Sequence, residues 1–387
     1  DNGGLYLYTN NTYSGSTYIY QGALVLSNSY GGAALASTNV VFDNNGSPDL
    51  YTMVSNQFAS GTVISFVTDS GDHGRFELIG TTQTVAGIQT VGYAAIRGVI
   101  QNQEAGPANS GTSRLILDGS GAYSFNGYLR SLNGTLGLTK TGTGTQTLSG
   151  AAITYSGATM IDSGRLVLTA ANGNGNPTGG SGLTTIAGGA TLEFANAANM
   201  YVNSVTYTGA GRMLKTGAGT VIWGSAAGTF NLLAGSLIDV QTGGFDAGSS
   251  ANENWTANLS SLNVASGATV SELTYGNAQI DALTGAGSVG LTGNTLTLGV
   301  ANTLTNAYNP TGIATFSGII SGGGSLTKSG IGTQILAGAN TYSVNTTVSG
   351  GNLKITGGIY TDAYRTTVVT VQGGSVLVVN RWSFGGS

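Results

Sequence analysis

Three stretches of this 387-residue chain spell one phrase: Leu138-Thr-Lys140-Thr-Gly142-Thr-Gly144-Thr145, Met213-Leu-Lys215-Thr-Gly217-Ala-Gly219-Thr220 and Leu326-Thr-Lys328-Ser-Gly330-Ile-Gly332-Thr333. The chain has four lysines and three of them fill the same slot, so composition alone does not account for the match. Such a chain is a repeat array, in which each unit packs on its neighbours and the architecture grows in one dimension.

The repeat runs on past the lysine. The first copy continues with Leu148-Ser-Gly150, Thr154-Tyr155-Ser156-Gly157 and Ile161-Asp-Ser-Gly164-Arg-Leu166-Val-Leu168. The third continues with Leu336-Ala-Gly338-Ala-Asn340-Thr-Tyr342-Ser343 and Val348-Ser-Gly-Gly351-Asn-Leu353-Lys-Ile355. The N-terminus carries this second half without the lysine half, in Leu5-Tyr-Leu7, Asn11-Thr-Tyr13-Ser-Gly15 and Ile19-Tyr-Gln-Gly22-Ala-Leu24-Val-Leu26.

Each piece reads as strand, glycine turn, strand. Leu24 and Leu26, Leu166 and Leu168, and Leu353 and Ile355 alternate with other residues, the period of a strand with one face buried. The intervening glycine admits backbone conformations closed to other residues. One strand pair cannot bury its apolar face alone. Stacked coils can, with rungs about 4.8 Å apart and roughly 20 to 25 residues per coil.

On these residues the chain resembles the autotransporter-associated β-strand repeat of bacterial passenger domains. Gln83-Thr-Val85-Ala-Gly87-Ile88, Val99-Ile-Gln-Asn102, Arg114-Leu-Ile-Leu117 and Phe125-Asn-Gly127 resemble the run that precedes the lysine phrase in long members, and Phe316-Ser-Gly318 holds the matching place before Lys328. The resemblance implies an all-β fold, a right-handed parallel β-helix (β-solenoid) forming a single elongated rod, exported and displayed outside a bacterial cell. It implies no catalytic site, because the repeat is a unit on which many functions are hung. Two departures stand out. Val344 replaces the second glycine of the Tyr-Ser-Gly turn, and the middle copy lacks that turn. No translocator barrel lies within these residues, which leaves the export route open.

The expected layout is one continuous solenoid over 1–387. It comprises an N-terminal half-repeat at 1–26, an extended unit at 81–168, degenerate repeats at 184–298, a C-terminal unit at 313–379 and a tail at 380–387. Irregular coils are expected near 43–80, 102–113, 170–182 and 245–258.

Composition excludes several function classes. Charged residues are 7% and the net charge is −4, with scattered cations, so a basic nucleic-acid surface is not expected. Residues 282–327 carry no charge at all. No run of about 18 apolar residues is present, and no membrane span is expected. The absence of cysteine removes disulfides and thiolate metal sites, and a single histidine removes a multi-histidine zinc site. No cofactor and no metal are expected. The start at Asp1-Asn-Gly-Gly rather than Met reads as a mature protein whose leader is gone.

The ends carry the leading functional expectation. A β-helix that stops leaves unpaired strand groups and an open core. The N-terminus begins halfway through a repeat, and the C-terminus closes on Val376-Leu377-Val-Val379 and Arg-Trp382-Ser-Phe384. Head-to-tail stacking of these ends is a heterologous contact that does not close and builds a fibre, a homopolymer with self as partner; the plain alternative is an excised fragment of a longer passenger, whose ends are artificial. Six of the 18 tyrosines fall in the first 30 residues. With Leu5 and Ile19 inward, Tyr6, Tyr8, Tyr18 and Tyr20 point outward as an aromatic strip that suits a subunit contact or, as an alternative, an adhesin binding surface glycans. High strand propensity of tyrosine is the plain reading of the same residues.

A second alternative is a polysaccharide lyase or hydrolase. Asp69, Asp72, His73 and Glu77 form the densest ionisable cluster and would divide acid and base roles, although a solvated turn explains them more simply. Gly285-Ala-Gly287-Ser-Val-Gly290 fits a dinucleotide pattern but precedes an alternating strand rather than a helix, and is a turn. The repeated lysines read as solubilising charges on strand edges. Buried Asn, Ser and Thr are expected to stack as side-chain ladders.

Overall fold

The computed structural model describes residues 3–43, 46–67, 73–92, 98–104, 111–150, 152–169, 182–202, 205–223, 228–247, 253–271, 273, 276–299, 312–361, 368–379 and 382–384. All its regular elements are β-strands, they pair in parallel, and no helix occurs among the described residues. The fold is a parallel β-solenoid. The chain divides into two compact units, Asp1–Thr191 and Leu192–Ser387.

In the first unit a seven-stranded sheet stacks Gly4–Leu7, Ala23–Leu26, Asp49–Thr52, Gly74–Glu77, Gly98–Gln101, Tyr128–Arg130 and Ala152–Thr154, each one coil from the next. A four-stranded sheet stacks Thr17–Ile19, Asn39–Asp43, Val63–Val67 and Gly87–Val91. The stretch 43–80, expected to be irregular, therefore supplies regular strands in register.

The register threads one interior column through Leu5, Leu24, Leu50, Phe76, Ile100, Leu129 and Ile153. Successive members are 19 to 29 residues apart in sequence, yet one rung apart in space. Beside it Phe42 and Phe66 stack with ring centroids 4.5 Å apart. Each buried side chain of this size contributes about 1.5–3 kcal/mol.

Glycine corners allow the coils to approach. A Cβ at Gly127 would lie 2.1 Å from the carbonyl oxygen of Gly98, and one at Gly150 2.0 Å from that of Gly127. The second unit has close corners of the same kind, with a Cβ at Gly318 falling 1.9 Å from the Gly287 oxygen and one at Gly338 1.7 Å from the Gly318 oxygen. The Leu-x-Gly and Phe-x-Gly pieces of the repeat are therefore the places where backbone rests on backbone.

In the second unit one sheet stacks Arg212–Thr216, Leu237–Val240, Ser261–Val264, Leu283–Gly285, Ile313–Phe316, Thr333–Leu336, Asn352–Ile355 and Val376–Val379. Its interior holds an aromatic cluster in which Phe230 stacks on Trp255 at 4.0 Å and Trp223 lies 4.5 Å from Phe245. Within 285–290 the chain passes from the strand Leu283–Gly285 through a bend at 286–287 into the strand Ser288–Leu291, with no helix to receive a phosphate. Polar ladders run along the coils: Asn263 donates to Asp239 at 2.8 Å and Thr284 to Asn263 at 3.1 Å, one coil per step.

The repeated lysines are not on exposed edges. Lys140, Lys215 and Lys328 are 2%, 1% and 0% exposed. Each stands two residues after a core position (Leu138, Met213, Leu326), so strand alternation turns it inward. There its ammonium meets carbonyl oxygens that the glycine turn aims at the interior. Lys140 donates to Gly142. Lys215 donates to Thr216, Gly217 and Thr242 at 2.6, 2.9 and 3.3 Å, and Lys328 to Ser329, Gly330 and Gly350 at 2.5, 3.0 and 3.3 Å. Thr242 and Gly350 belong to the following coil, so the lysine pins one turn to the next. Burial lowers the pKa of all three, while Asp118, Glu193 and Asp281 respectively pull the other way.

Two other repeat residues act across coils. The fully buried Gln146 accepts from the amide of Ile88 at 3.1 Å and donates to its carbonyl at 2.9 Å, 58 residues away. Gln334 repeats this with Leu283 at 3.1 and 2.9 Å across 51 residues. Each amide takes the place of a backbone ladder where a longer coil separates the strands. The tyrosine of the Tyr-Ser element bonds the threonine four residues on, Tyr155 to Thr159 at 2.5 Å and Tyr342 to Thr346 at 2.8 Å, both buried.

Candidate functional site

The outer face of the seven-stranded sheet gathers aromatic and charged side chains, some exposed, such as Tyr6, and some covered, such as Glu77 and Gln101. Strand alternation that sets Leu5 and Leu50 in the inward column turns their neighbours outward. One outward column reads Tyr6, Val25, Tyr51, Glu77, Gln101 and Arg130, and the parallel one Gly4, Ala23, Asp49, Arg75, Val99 and Tyr128.

Tyr6 and Tyr8 are more than half exposed, and their rings stack at 5.9 Å with planes 10° apart. With Tyr51, Val25, Met53 and Ile79 they line a groove of about 360 Å³. Tyr18 and Tyr20 stack likewise at 6.0 Å, starting from the neighbouring strand Thr17–Ile19.

Next along the face, Tyr51 donates to Asp49 at 3.3 Å, and Asp49 pairs with Arg75 at 3.4 Å. Burial raises the pKa of Asp49 against the pull of Arg75. Tyr51 is pushed up by burial and then by the charges of Asp49 and Glu77. A second depression of about 270 Å³ follows, lined by His73, Arg75, Val99, Glu104, Tyr128 and Arg130. Here Gln101 donates to Glu77 at 3.1 Å and to Glu104 at 2.7 Å, and Arg130 donates to Gln101 at 2.8 Å and to Glu104 at 3.1 Å. Glu104 is held below the usual carboxylate range, first by the hydrogen bond from Gln101.

Of the quartet Asp69, Asp72, His73 and Glu77, the described residues include the last two. Asp69 and Asp72 lie outside the described residues. His73 is half-buried at the second depression. Glu77 is not on a solvated turn: it sits in the strand Gly74–Glu77 at 1% exposure. One of its oxygens accepts from Gln101 and the other from the amide of Glu104 at 3.0 Å. Burial raises its pKa, but with both oxygens engaged it serves the network rather than an open cleft. Asp49, Tyr51, Arg75 and Arg130, which complete the face, were not singled out in the sequence; their signal is the spacing of one coil from Tyr51 to Glu77 and from Asp49 to Arg75.

Leu5 heads the interior column at 63% exposure, although the other six members are buried. Tyr13 makes the repeat's tyrosine bond, to Thr17 at 2.9 Å, but is 45% exposed where Tyr155 and Tyr342 are covered. At the last strand of the second unit's sheet, Val376 is exposed while Leu377 and Val379 are half-buried; the aligned Leu353 and Ile355 one coil earlier are fully buried. Trp382 and Phe384 lie on a strand paired with Ile359–Thr361, and their side chains are outside the described residues.

The passenger-associated-transport-repeat family model matches residues 1–26, 138–168 and 326–355. The phrase at 213–220 lies outside that match, yet its lysine makes the same turn contacts. Over 284 residues, 65% of this chain, the sequence is 30% identical to the adhesin BmaC autotransporter of Brucella suis biovar 1 (strain 1330), and the match spans 8% of that adhesin's length. No solved structure matches the chain significantly. With its lysine-pinned turns, glycine corners and tyrosine bonds recurring at the matched positions, the chain carries the repeat of autotransporter passenger domains.

Proposed function

We propose that this chain is a structural and adhesive segment of an adhesin-type passenger, exposed outside the cell, and that copies join head to tail through their end strands. The observation that carries the joining is Leu5, which stands in register with six buried side chains and is itself 63% exposed. The Gly4–Leu7 edge has no strand on its other side among the described residues. A coil laid on this edge would pair the strand's free backbone groups, bury Leu5 and cover Tyr13. The complementary edge is Val376–Val379, and the contact is heterologous, so it extends rather than closes. The reading is non-enzymatic, in keeping with the adhesin it is similar to.

Negative-stain electron microscopy and light scattering over a concentration series test the joining. Unbranched filaments that Leu5→Asp disperses are the expected result. Single particles at every concentration overturn it.

A further inference from the structure

Of the molecule's surfaces, the groove at Tyr6, Tyr8 and Tyr51 combines the most features of a binding site. Its volume is that of a small-molecule site, and it follows the usual pattern of apolar walls with a few convergent polar groups. One wall is Ile79, a β-branched residue held at φ 44°, where such side chains are rarely found. The strained turn is fixed from behind: the Ile79 amide donates to the carbonyl of Asn102 at 2.8 Å, and the Gly80 amide to the side chains of Asn102 and Ser113 at 3.0 and 2.9 Å. A glycine would adopt this backbone without strain; isoleucine instead presents an apolar wall to the groove. Strain maintained in this way points to use.

The chemistry of the face selects the ligand. Flat rings at Tyr6, Tyr8 and Tyr51 suit the C–H face of a pyranose, and the carboxylate and guanidinium of Asp49 and Arg75 beside them suit its hydroxyls. Arg75 pairs with Asp49 and Arg130 with Glu104, and the remaining ionisable group of the network is the carboxyl of Glu77, so the face offers no net positive field to hold a polyanion. The two depressions lie along one sheet and are linked through Asp49, which accepts from Tyr51 of the first and pairs with Arg75 of the second, and this favours an extended chain over a single sugar.

We propose that the outer face of this sheet binds a neutral linear oligosaccharide, stacked on Tyr6, Tyr8 and Tyr51 and hydrogen-bonded at Asp49 and Arg75. The proposal rests on exposure outside the cell and not on the joining of copies, since a coil added to the Gly4–Leu7 edge leaves the outward side chains open. Tyr18 and Tyr20 provide the internal control, being a stacked, exposed pair that is not part of this groove's lining.

The test is isothermal titration calorimetry of the whole chain with cellohexaose, chitohexaose and mannohexaose, and with a hyaluronan hexasaccharide as the charged probe. At least one neutral probe is expected to bind. Tyr8→Ala and Tyr51→Ala should each weaken it roughly tenfold or more, a change of about 1.4 kcal/mol per tenfold, while the Tyr18→Ala/Tyr20→Ala pair and Leu5→Asp leave it unchanged. Circular dichroism checks the fold of each variant, and Tyr8, exposed at the surface, serves if Tyr51→Ala does not fold. No heat with any neutral probe at millimolar concentration, tighter binding of hyaluronan, or affinity indifferent to the Tyr8→Ala substitution would overturn the proposal.

Discussion

Lys328 Nζ lies 3.3 Å from the carbonyl oxygen of Gly350, a residue of the following coil, while also donating to Ser329 and Gly330 in its own turn. A buried cation is thus neutralised by main-chain dipoles rather than by a carboxylate in contact. Lys328→Met keeps the stem and removes the donors, leaving inward carbonyls without partners. The expected loss is about 1–3 kcal/mol, read as a lower urea midpoint with faster hydrogen exchange around 329–351. An unchanged midpoint would refute the pinning role.

The same lysines set a pH dependence. Burial holds the Lys215 pKa at about 8, against 10.5 in an unfolded chain. Between these values the unfolded state binds more protons, so this group's contribution to stability rises with pH from about 8 to 10.5. Tyr342 acts in the opposite sense: burial pushes it up to about 12 from 10.0, so above pH 10 the unfolded state loses its proton first and stability falls. The urea midpoint should therefore climb from pH 8, peak near pH 10 and then drop, with the climb reduced in Lys215→Met. A midpoint that falls steadily from pH 8 would contradict this.

Gln334 and Gln146 make the same prediction at two places. Gln334→Leu leaves both the amide and the carbonyl of Leu283 unpaired in the interior, at a cost of about 1–3 kcal/mol. Hydrogen exchange localises the effect: the Leu283 amide should lose protection in Gln334→Leu, and the Ile88 amide in Gln146→Leu. Equal protection in variant and parent would mean that the clamp is idle.

The glycine corner predicts a sharp effect from one methyl group. In Gly338→Ala the new Cβ falls 1.7 Å from the Gly318 oxygen, so two coils must part. The expected cost is about 1–3 kcal/mol or more. Gly189→Ala has open space around the added Cβ, so it pays for its φ of +86° alone and should cost less. Thermal melts of the two variants compare them, and equal melting points would argue against close coil contact at Gly338.

Much of the fold is legible from Leu24, Leu26, Leu166 and Leu168, because strand alternation is a local property. The lysines mislead for a specific reason. Charge argues for an edge, while parity with Leu138 and Leu326 argues for the interior, and parity wins because the turn carbonyls supply the missing solvation. Gln146 is visible in the repeat, but its partner Ile88 is 58 residues away and no local signal points to it. The binding face is hidden by variable coil length. Tyr51, Glu77 and Gln101 form one column only when steps of unequal length are laid in register. His73 and Glu77 show the converse, since neighbours in sequence are divided between the rim of a depression and a buried strand position.

The interior column advances one rung whether the chain spends 19 residues or 29 on a coil. Reach is therefore counted in coils and bulk in residues, and selection can alter them separately. A segment thickened at a coil corner presents new epitopes to its surroundings while the distance to whatever it carries stays the same.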